Sequence, residues 1–139
     1  MIPVRRGRVR FLRKGVIMKI AVTSTGKTLD SQVDQRFGRA AYFIIVDTET
    51  MDFSAIENEN VAAAGGAGIS SAKAMIDACA EVVLTGNCGP NAERTLSAAG
   101  VKLYTGVAGT VSEAIELFRN GNLAEAADPN VQSHFGTNN

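Results

Sequence analysis

The sequence predicts an α/β domain of three layers, in which a mixed five-stranded sheet carries helices on both faces. Three observations support this prediction. The chain has 139 residues with 45% apolar and 20% charged side chains, as expected of one globular domain. Its segments read in the order β-β-β-α-β-α-β-α. The late strands alternate with helices, which favours parallel pairing through right-handed crossovers, whereas an early hairpin adds antiparallel pairing.

The first half of the chain predicts three strands. Residues 19–23 form a short apolar strand, and the polar, glycine-bearing residues 25–39 form a loop. Residues 41–47 are rich in aromatic and β-branched side chains, which favours a second strand. After a turn at 47–50, apolar and polar residues alternate, and this pattern predicts the partner strand of a hairpin, with one face formed by Met51, Phe53 and Ala55.

The next part predicts a helix, a strand and a second helix. A loop of small residues leads into a helix over about 69–80, whose spacing predicts a buried stripe of Ile69, Ala72, Ile76 and Cys79. Residues 82–85 read as a strand. Pro90 suits the first position of the following helix, and Gly100 ends it. The inner stripe of that helix is predicted to be Ala92, Leu96 and Ala99.

The last two elements are a strand and a capped helix. Residues 101–105 predict the strand. Thr110 and Glu113 match a capping box, in which the two residues bond each other's backbone N–H at the start of a helix. The helix runs to about Asn120, and its spacing predicts a buried face of Val111, Ala114, Ile115 and Phe118.

The charge divides the chain into a basic extension and an acidic body. Residues 1–17 carry six basic side chains and no acid, whereas the other 122 residues carry eight basic and 14 acidic side chains. An acidic body disfavours broad electrostatic binding to nucleic acid. Apolar runs such as 42–46 are too short to span a bilayer. Two cysteines cannot build a disulfide scaffold.

The predicted domain covers residues 18–121, between the basic extension at 1–17 and a polar tail at 122–139. The extension has no clear helical or strand period, and its charges interrupt the apolar core that a secretory signal needs. Three interpretations fit it: an artefact or upstream start codon ahead of Met18, a disordered basic arm, or a targeting peptide.

Glycine-bearing segments mark a candidate ligand site. Residues 24–26, 86–89 and 106–109 follow strands, and ligands bind at the carboxyl ends of the parallel strands in such sheets. A further segment containing Gly65, Gly66 and Gly68 opens a helix, whose free N–H groups and dipole favour an anion. Glycine also closes short turns without any ligand. The chain has no P-loop and no GxGxxG motif, which disfavours a Rossmann dehydrogenase.

Cys88 and His134 are the candidate metal ligands. Cys88 lies in a loop just before Pro90, where a helix N-terminus is expected to lower the pKa of a thiol. His134 is the only histidine and lies in the tail, from which it would have to fold over the glycine-bearing segments. Cys79 is expected to be a buried small hydrophobe. One thiol and one imidazole fall short of a closed zinc site.

Catalytic motifs are poorly represented. A serine triad would have to use His134, and no G-x-S-x-G motif accompanies it. Asp30 and Asp34 could serve acid–base chemistry, or they could pair within a solvated loop. The order of elements is similar to that of ribonuclease H. The first strand nevertheless carries none of the carboxylates that two-metal cleavage needs, so nuclease activity is not expected.

Residues 18–118 resemble the dinitrogenase iron-molybdenum cofactor biosynthesis family, the group of NifX, NafY and the NifB C-terminal domain. The matching stretches are 18–22, 33–40 with Tyr42 and Phe43, 65–68, 85–92 and 100–101. The resemblance implies a ribonuclease H-like fold and non-catalytic, cytoplasmic binding of a metal–sulfur cluster. That cluster would be an iron–molybdenum cofactor precursor or a related iron–sulfur or molybdenum cluster. The implied partners are cofactor-assembly or acceptor proteins, with no nucleic acid and no membrane.

Such a cluster is usually anionic, which fits the donors that the chain offers. Charge-assisted hydrogen bonds could come from Arg36 and Arg39, and further donors from Gly65, Gly66, Gly68, Asn87 and Gly89. Cys88 or His134 could bind metal directly. A permanent electron-transfer centre would use about four thiolates. Two alternatives stay open: a regulatory module that binds a small molecule or anion without metal, and an enzyme with Cys88 as nucleophile.

Overall fold

The computed structural model describes residues 19–59, 66–123 and 125. Within these ranges the elements follow in the predicted order. The strands are β1 (Lys19–Ser24), β2 (Tyr42–Asp47), β3 (Phe53–Glu57), β4 (Val82–Leu84) and β5 (Lys102–Tyr104). The helices are α1 (Ala67–Asp77), α2 (Pro90–Ala98) and α3 (Val111–Arg119). None of these helices has the length and apolar character needed to cross a membrane.

The strands form one mixed sheet in the order β3-β2-β1-β4-β5. The hairpin of β2 and β3 is antiparallel, and β2 also pairs antiparallel with β1, whereas β4 pairs in parallel with both β1 and β5. β1 lies at the centre of the sheet, which explains why its consecutive residues Ile20, Ala21 and Val22 are all apolar, because both of its faces are covered. The predicted mixed five-stranded α/β architecture is confirmed.

Two hydrophobic clusters on opposite faces of the sheet give the three layers. Successive side chains of a strand point to opposite faces, so Ala21 and Ile20 of β1 enter different clusters. On one face the sheet packs against α1 and α2 through Ala72, Met75, Ala92 and Leu96. On the other face it packs against α3 through Val111, Ala114 and Ile115.

The end of α1 differs from its prediction. The helix begins and ends earlier than its spacing indicates, and the chain leaves it through a Schellman turn. In this turn the Ala80 N–H donates to the Met75 carbonyl (3.1 Å) and the Cys79 N–H to the Ile76 carbonyl (3.0 Å). Cys79 occupies the left-handed position, with φ 65°, and is exposed. The prediction of a buried Cys79 is therefore wrong, because the helical period stops before this residue.

The buried face of α1 is also rotated relative to its prediction. The buried residues are Ala67, Ser71, Ala72 and Met75, whereas Ile69 and Ile76 are partly exposed. Small side chains lie inward because a neighbouring loop and α2 approach this helix closely. Hydrophobicity alone would place the isoleucines on the buried face. The short distance to the loop and to α2 instead leaves room there mainly for alanine and serine.

The helix-end predictions for α2 and α3 are confirmed. Pro90 begins α2, and Gly100 follows its end with φ 81°. The capping box of α3 is present, with the Glu113 N–H donating to Thr110 Oγ1 (3.1 Å) and the Thr110 N–H donating to Glu113 Oε1 (2.9 Å). Ala99 is exposed rather than buried, because it is the C-cap of α2 and lies beyond its last turn.

Candidate functional site

An open cleft of about 470 Å³ lies beside the loops that follow β1 and β4. Three segments form its walls: the loop at Arg36, Phe37, Gly38 and Arg39, the first turn of α1 at Ala67 and Gly68, and the loop at Asn87, Cys88 and Gly89. The volume falls within the range of small-ligand sites, roughly 300–1,000 Å³.

The structure brings most of the predicted site residues to this cleft, namely Arg36, Arg39, Gly68, Asn87, Cys88 and Gly89. Gly66 is the N-cap of α1 and immediately precedes the wall residue Ala67. Gly65 and His134 lie outside the described residues, as does the extension at 1–17. Sequence reasoning missed Phe37, Gly38 and Ala67, although the first two lie between the two predicted arginines.

Two of the predicted glycine-bearing segments, 24–26 and 106–109, do not line the cleft. Their backbone groups instead form hydrogen bonds within and to the loop that follows β1. The Gly26 N–H donates to Ser24 Oγ (3.1 Å), and the Gly109 carbonyl accepts from the Val33 N–H (2.8 Å). These glycines therefore close turns, which is the alternative that the sequence left open.

A short parallel bridge holds the two main loops of the cleft together. The Asn87 N–H donates to the Gln35 carbonyl (2.8 Å), and the Phe37 N–H donates to the Asn87 carbonyl (2.9 Å). The neighbouring Gly86 allows this approach, since a Cβ there would lie 2.8 Å from the Gln35 Cα. The backbone N–H of Asn87 is thus already used within the protein.

Arg36 extends into the cleft from a buried anchor, Asp34. The Asp34 carboxylate accepts hydrogen bonds from Arg36 Nε (3.2 Å) and Nη2 (3.4 Å), from the Arg36 N–H (3.0 Å) and from the Ala41 N–H (3.2 Å). The Arg36 side chain is 66% exposed, whereas that of Asp34 is 5% exposed. Hydrogen bonding and charge attraction from Asp34 raise the pKa of Arg36. Asp34 is therefore paired within its own loop.

The helices α1 and α2 both begin at the cleft without a side-chain cap. Their N-caps are Gly66 and Gly89, and neither first turn receives a side-chain hydrogen bond at its cap. The first N–H groups of a helix have no partner within the helix, and the helix dipole adds positive charge there. Two such termini at one cleft favour an anionic ligand.

The N-terminus of α3 provides an internal comparison. It does not line the cleft, and Thr110 caps it. Its Val111 N–H donates to the Ser31 carbonyl (2.8 Å) and its Ser112 N–H to the Leu29 carbonyl (2.9 Å). The first N–H groups of α3, which lies away from the cleft, therefore have hydrogen-bond partners within the protein. The N-termini of α1 and α2, which border the cleft, have no side-chain cap.

The pKa of the Cys88 thiol differs from its prediction. Its side chain is half-buried and packs against the core cluster beneath α1 and α2. Burial raises the pKa of the thiol, and the nearby carboxylate of Glu93 raises it further, to about 12. The expected lowering of the pKa is therefore wrong, because burial and the Glu93 charge both disfavour the thiolate. The thiol is protonated at neutral pH, and binding a metal would release that proton.

We expect Cys79 to be alkylated by iodoacetamide faster than Cys88 in the native protein at pH 8. The thiolate is the reactive form, and a pKa of about 12 leaves roughly one Cys88 in 10⁴ ionised at this pH. Raising the pH from 8 to 10 is expected to increase the Cys88 rate about a hundredfold. Mass spectrometry of Cys79→Ser and Cys88→Ser measures each site alone. Faster labelling of Cys88 at pH 8 would contradict this prediction.

The side chains around the cleft do not form a metal-binding cage. Within the described part of the chain, no group of three or more His, Cys, Asp or Glu side chains is arranged to hold a metal ion. The walls contain two arginines and one thiol but no carboxylate. This set of donors suits an anion better than a bare cation.

Residues 18–121 match the model of a protein family described as "Dinitrogenase iron-molybdenum cofactor". The chain is similar to the apo form of the orange protein from Desulfovibrio gigas, with 41% identity and a TM-score of 0.79 over 83% of this chain and 98% of that one. No functionally curated protein matches the chain.

Two further solved structures are similar. One is an NMR structure of a Thermotoga protein described as a candidate NifB, with 44% identity and a TM-score of 0.69 over 78% of this chain and 92% of that one. The other is a candidate dinitrogenase from Methanocaldococcus jannaschii, with 20% identity and a TM-score of 0.63 over 82% of this chain and 99% of that one. At that identity the second likeness supports the fold alone.

Proposed function

The chain belongs to the dinitrogenase iron-molybdenum cofactor family, and from this premise we propose that it is a non-catalytic carrier of an anionic metal–sulfur cluster. The cargo in this proposal is an iron–molybdenum cofactor precursor or a related iron–sulfur or molybdenum cluster. An assembly or acceptor protein would receive it. One observation carries the assignment to the cleft: two uncapped helix N-termini and two arginines meet there.

The charge of the cleft supports an anionic cargo. The first-turn N–H groups of α1 can donate to sulfide at the surface of a cluster, as they do to other anions. In α2 the N–H groups that follow Pro90 can do the same, since Pro90 itself has none. Arg36 and Arg39 add charge-assisted hydrogen bonds. Asp34 offsets part of the Arg36 charge, but its carboxylate is buried and already accepts four hydrogen bonds. The described wall residues include no carboxylate, although the Glu93 carboxylate in the first turn of α2 lies near enough to Cys88 to raise the pKa of its thiol.

Cys88 offers one soft ligand whose chemistry suits reversible binding. A metal would bind it as thiolate, with loss of the thiol proton. Because the pKa of the free thiol is about 12, Cys88 takes its proton back when the metal leaves. Reprotonation therefore favours release. One thiolate, in place of the four of a permanent iron–sulfur centre, keeps ligation weak enough for transfer.

Anaerobic loading tests this proposal. We expect the wild-type protein to take up a preformed iron–sulfur or iron–molybdenum–sulfur cluster, measured by its visible spectrum and by metal analysis after gel filtration. Arg36→Ala and Arg39→Ala are each expected to weaken uptake about tenfold, because each removes charge-assisted hydrogen bonds. Arg94→Ala is the matched control, since Arg94 bonds Asn91 on α2 and does not line the cleft.

Cys88→Ser separates metal ligation from anion binding. A soft metal prefers thiolate to hydroxyl, so uptake is expected to fall although the side-chain volume barely changes. Cys79→Ser is its control. Failure of the wild type to bind any cluster would refute the carrier proposal. Normal uptake by Cys88→Ser, with loss in the arginine variants, would refute only the role of Cys88.

A second candidate function is a module that binds a small anion without metal. It is favoured by the absence of a metal-binding group of side chains within the described residues. Calorimetry with inorganic phosphate and with the cluster distinguishes the two functions. Tight phosphate binding without cluster uptake would support the anion module, and cluster uptake supports the carrier.

A further inference from the structure

Gly38 lies where the loop at residues 36–39, here called the arginine-bearing loop, meets α1. Its carbonyl accepts hydrogen bonds from Asn58 Nδ2 (3.0 Å) and from Ser71 Oγ (3.2 Å). Asn58 Nδ2 also donates to the Ala40 carbonyl (2.8 Å). Asn58 is 6% exposed and Ser71 is fully buried. We call Asn58 and Ser71, with the Gly38 carbonyl that they share, the Gly38 clasp.

The Gly38 clasp acts at a contact between two backbones. A Cβ at Gly38 would lie 2.9 Å from both the Cα and the N of Gly68, and a Cβ at Gly68 would lie 3.2 Å from that of Ala92. The loop, α1 and α2 therefore stack with almost no side chain between them. The distance from the arginines to the two helix N-termini depends on this stack.

We propose that Asn58 and Ser71 are positioning residues that set the width of the cleft and so select the size of the anion it binds. This inference rests on the proposed function, because it concerns the same site. A large cluster must touch the arginines and the helix N-termini at once. A small oxyanion can be held at the helix termini alone, so its binding depends less on the position of the loop.

The test compares two anions in the same variants of the full chain. The probes are a synthetic four-iron, four-sulfur thiolate cluster under anaerobic conditions and inorganic phosphate. Ser71→Ala removes one hydrogen bond to the Gly38 carbonyl, whereas Asn58→Ala removes one to Gly38 and one to Ala40. Each variant is expected to raise the Kd of the cluster at least about tenfold, because these buried bonds order the site. The Kd of phosphate is expected to change less than about twofold.

Thr110→Ala is the matched control, because it removes a helix cap of α3 away from the cleft. It is expected to lower the melting temperature and leave both Kd values unchanged. A parallel loss of cluster and phosphate binding in the Gly38 clasp variants, or no loss in either, would overturn the positioning role. If the wild type binds no cluster, the carrier proposal is refuted as well. If the wild type binds the cluster and both variants keep its selectivity for cluster over phosphate, only the role of the Gly38 clasp is refuted.

Discussion

Replacing Phe37 by alanine is expected to lower the free energy of unfolding by about 3–5 kcal/mol, as for other buried aromatic residues. Phe37 is 1% exposed, and its ring centroid lies 5.7 Å from that of Phe43 on the sheet. It also lines the cleft between Arg36 and Arg39. The cavity left by alanine would remove the support of both arginines, so we expect cluster uptake to be lost with the stability.

Urea denaturation followed by circular dichroism measures this change. The control is Phe53→Ala, because Phe53 is 43% exposed on the edge strand β3 and its replacement is expected to change stability by about 0.5 kcal/mol or less. Phe37→Leu keeps most of the volume and provides a folded variant if the alanine variant unfolds. Equal losses for Phe37→Ala and Phe53→Ala would show that Phe37 has no special place in the core.

Replacing Gly38 by alanine is expected to cost about 2–3 kcal/mol of stability and to raise the Kd for the cluster by at least about tenfold. The added Cβ would lie 2.9 Å from the Cα and the N of Gly68. The backbones of the loop and of α1 cannot move aside as a flexible side chain would. The first turn of α1 must therefore separate from the arginine-bearing loop.

Gly89→Ala is the matched control for the change in stability and not for binding, because Gly89 itself lines the cleft. Gly89 has φ −71°, and a Cβ there would meet nothing within 4 Å, so alanine fits and only the capping preference is lost, at about 1 kcal/mol or less. Thermal denaturation is measured on both variants, and cluster binding is measured on Gly38→Ala against the wild type. Wild-type behaviour of Gly38→Ala would mean that the loop and α1 are not in the contact described.

The sequence by itself determined the order of the elements and the ends of α2 and α3. Those features depend on local physics: alternation of apolar residues, the fixed φ of Pro90, the left-handed φ of Gly100 and the capping box at Thr110. Such signals act between residues a few positions apart, so they can be predicted without a tertiary structure. Most of the candidate site residues could also be predicted, since loops after β1 and β4 must reach the same edge of the sheet.

Only the tertiary structure decided which face of α1 is buried, how acidic Cys88 is, and what holds the arginines in place. Close packing against Gly38 and α2 turned the small residues of α1 inward, although its isoleucines are more hydrophobic. Burial raised the pKa of Cys88 where the helix terminus predicted a lowered one. The bonds from Asn58 and Ser71 to Gly38 span 20 and 33 residues of sequence. Packing, desolvation and such bonds arise between segments distant in the chain, and no local pattern encodes them.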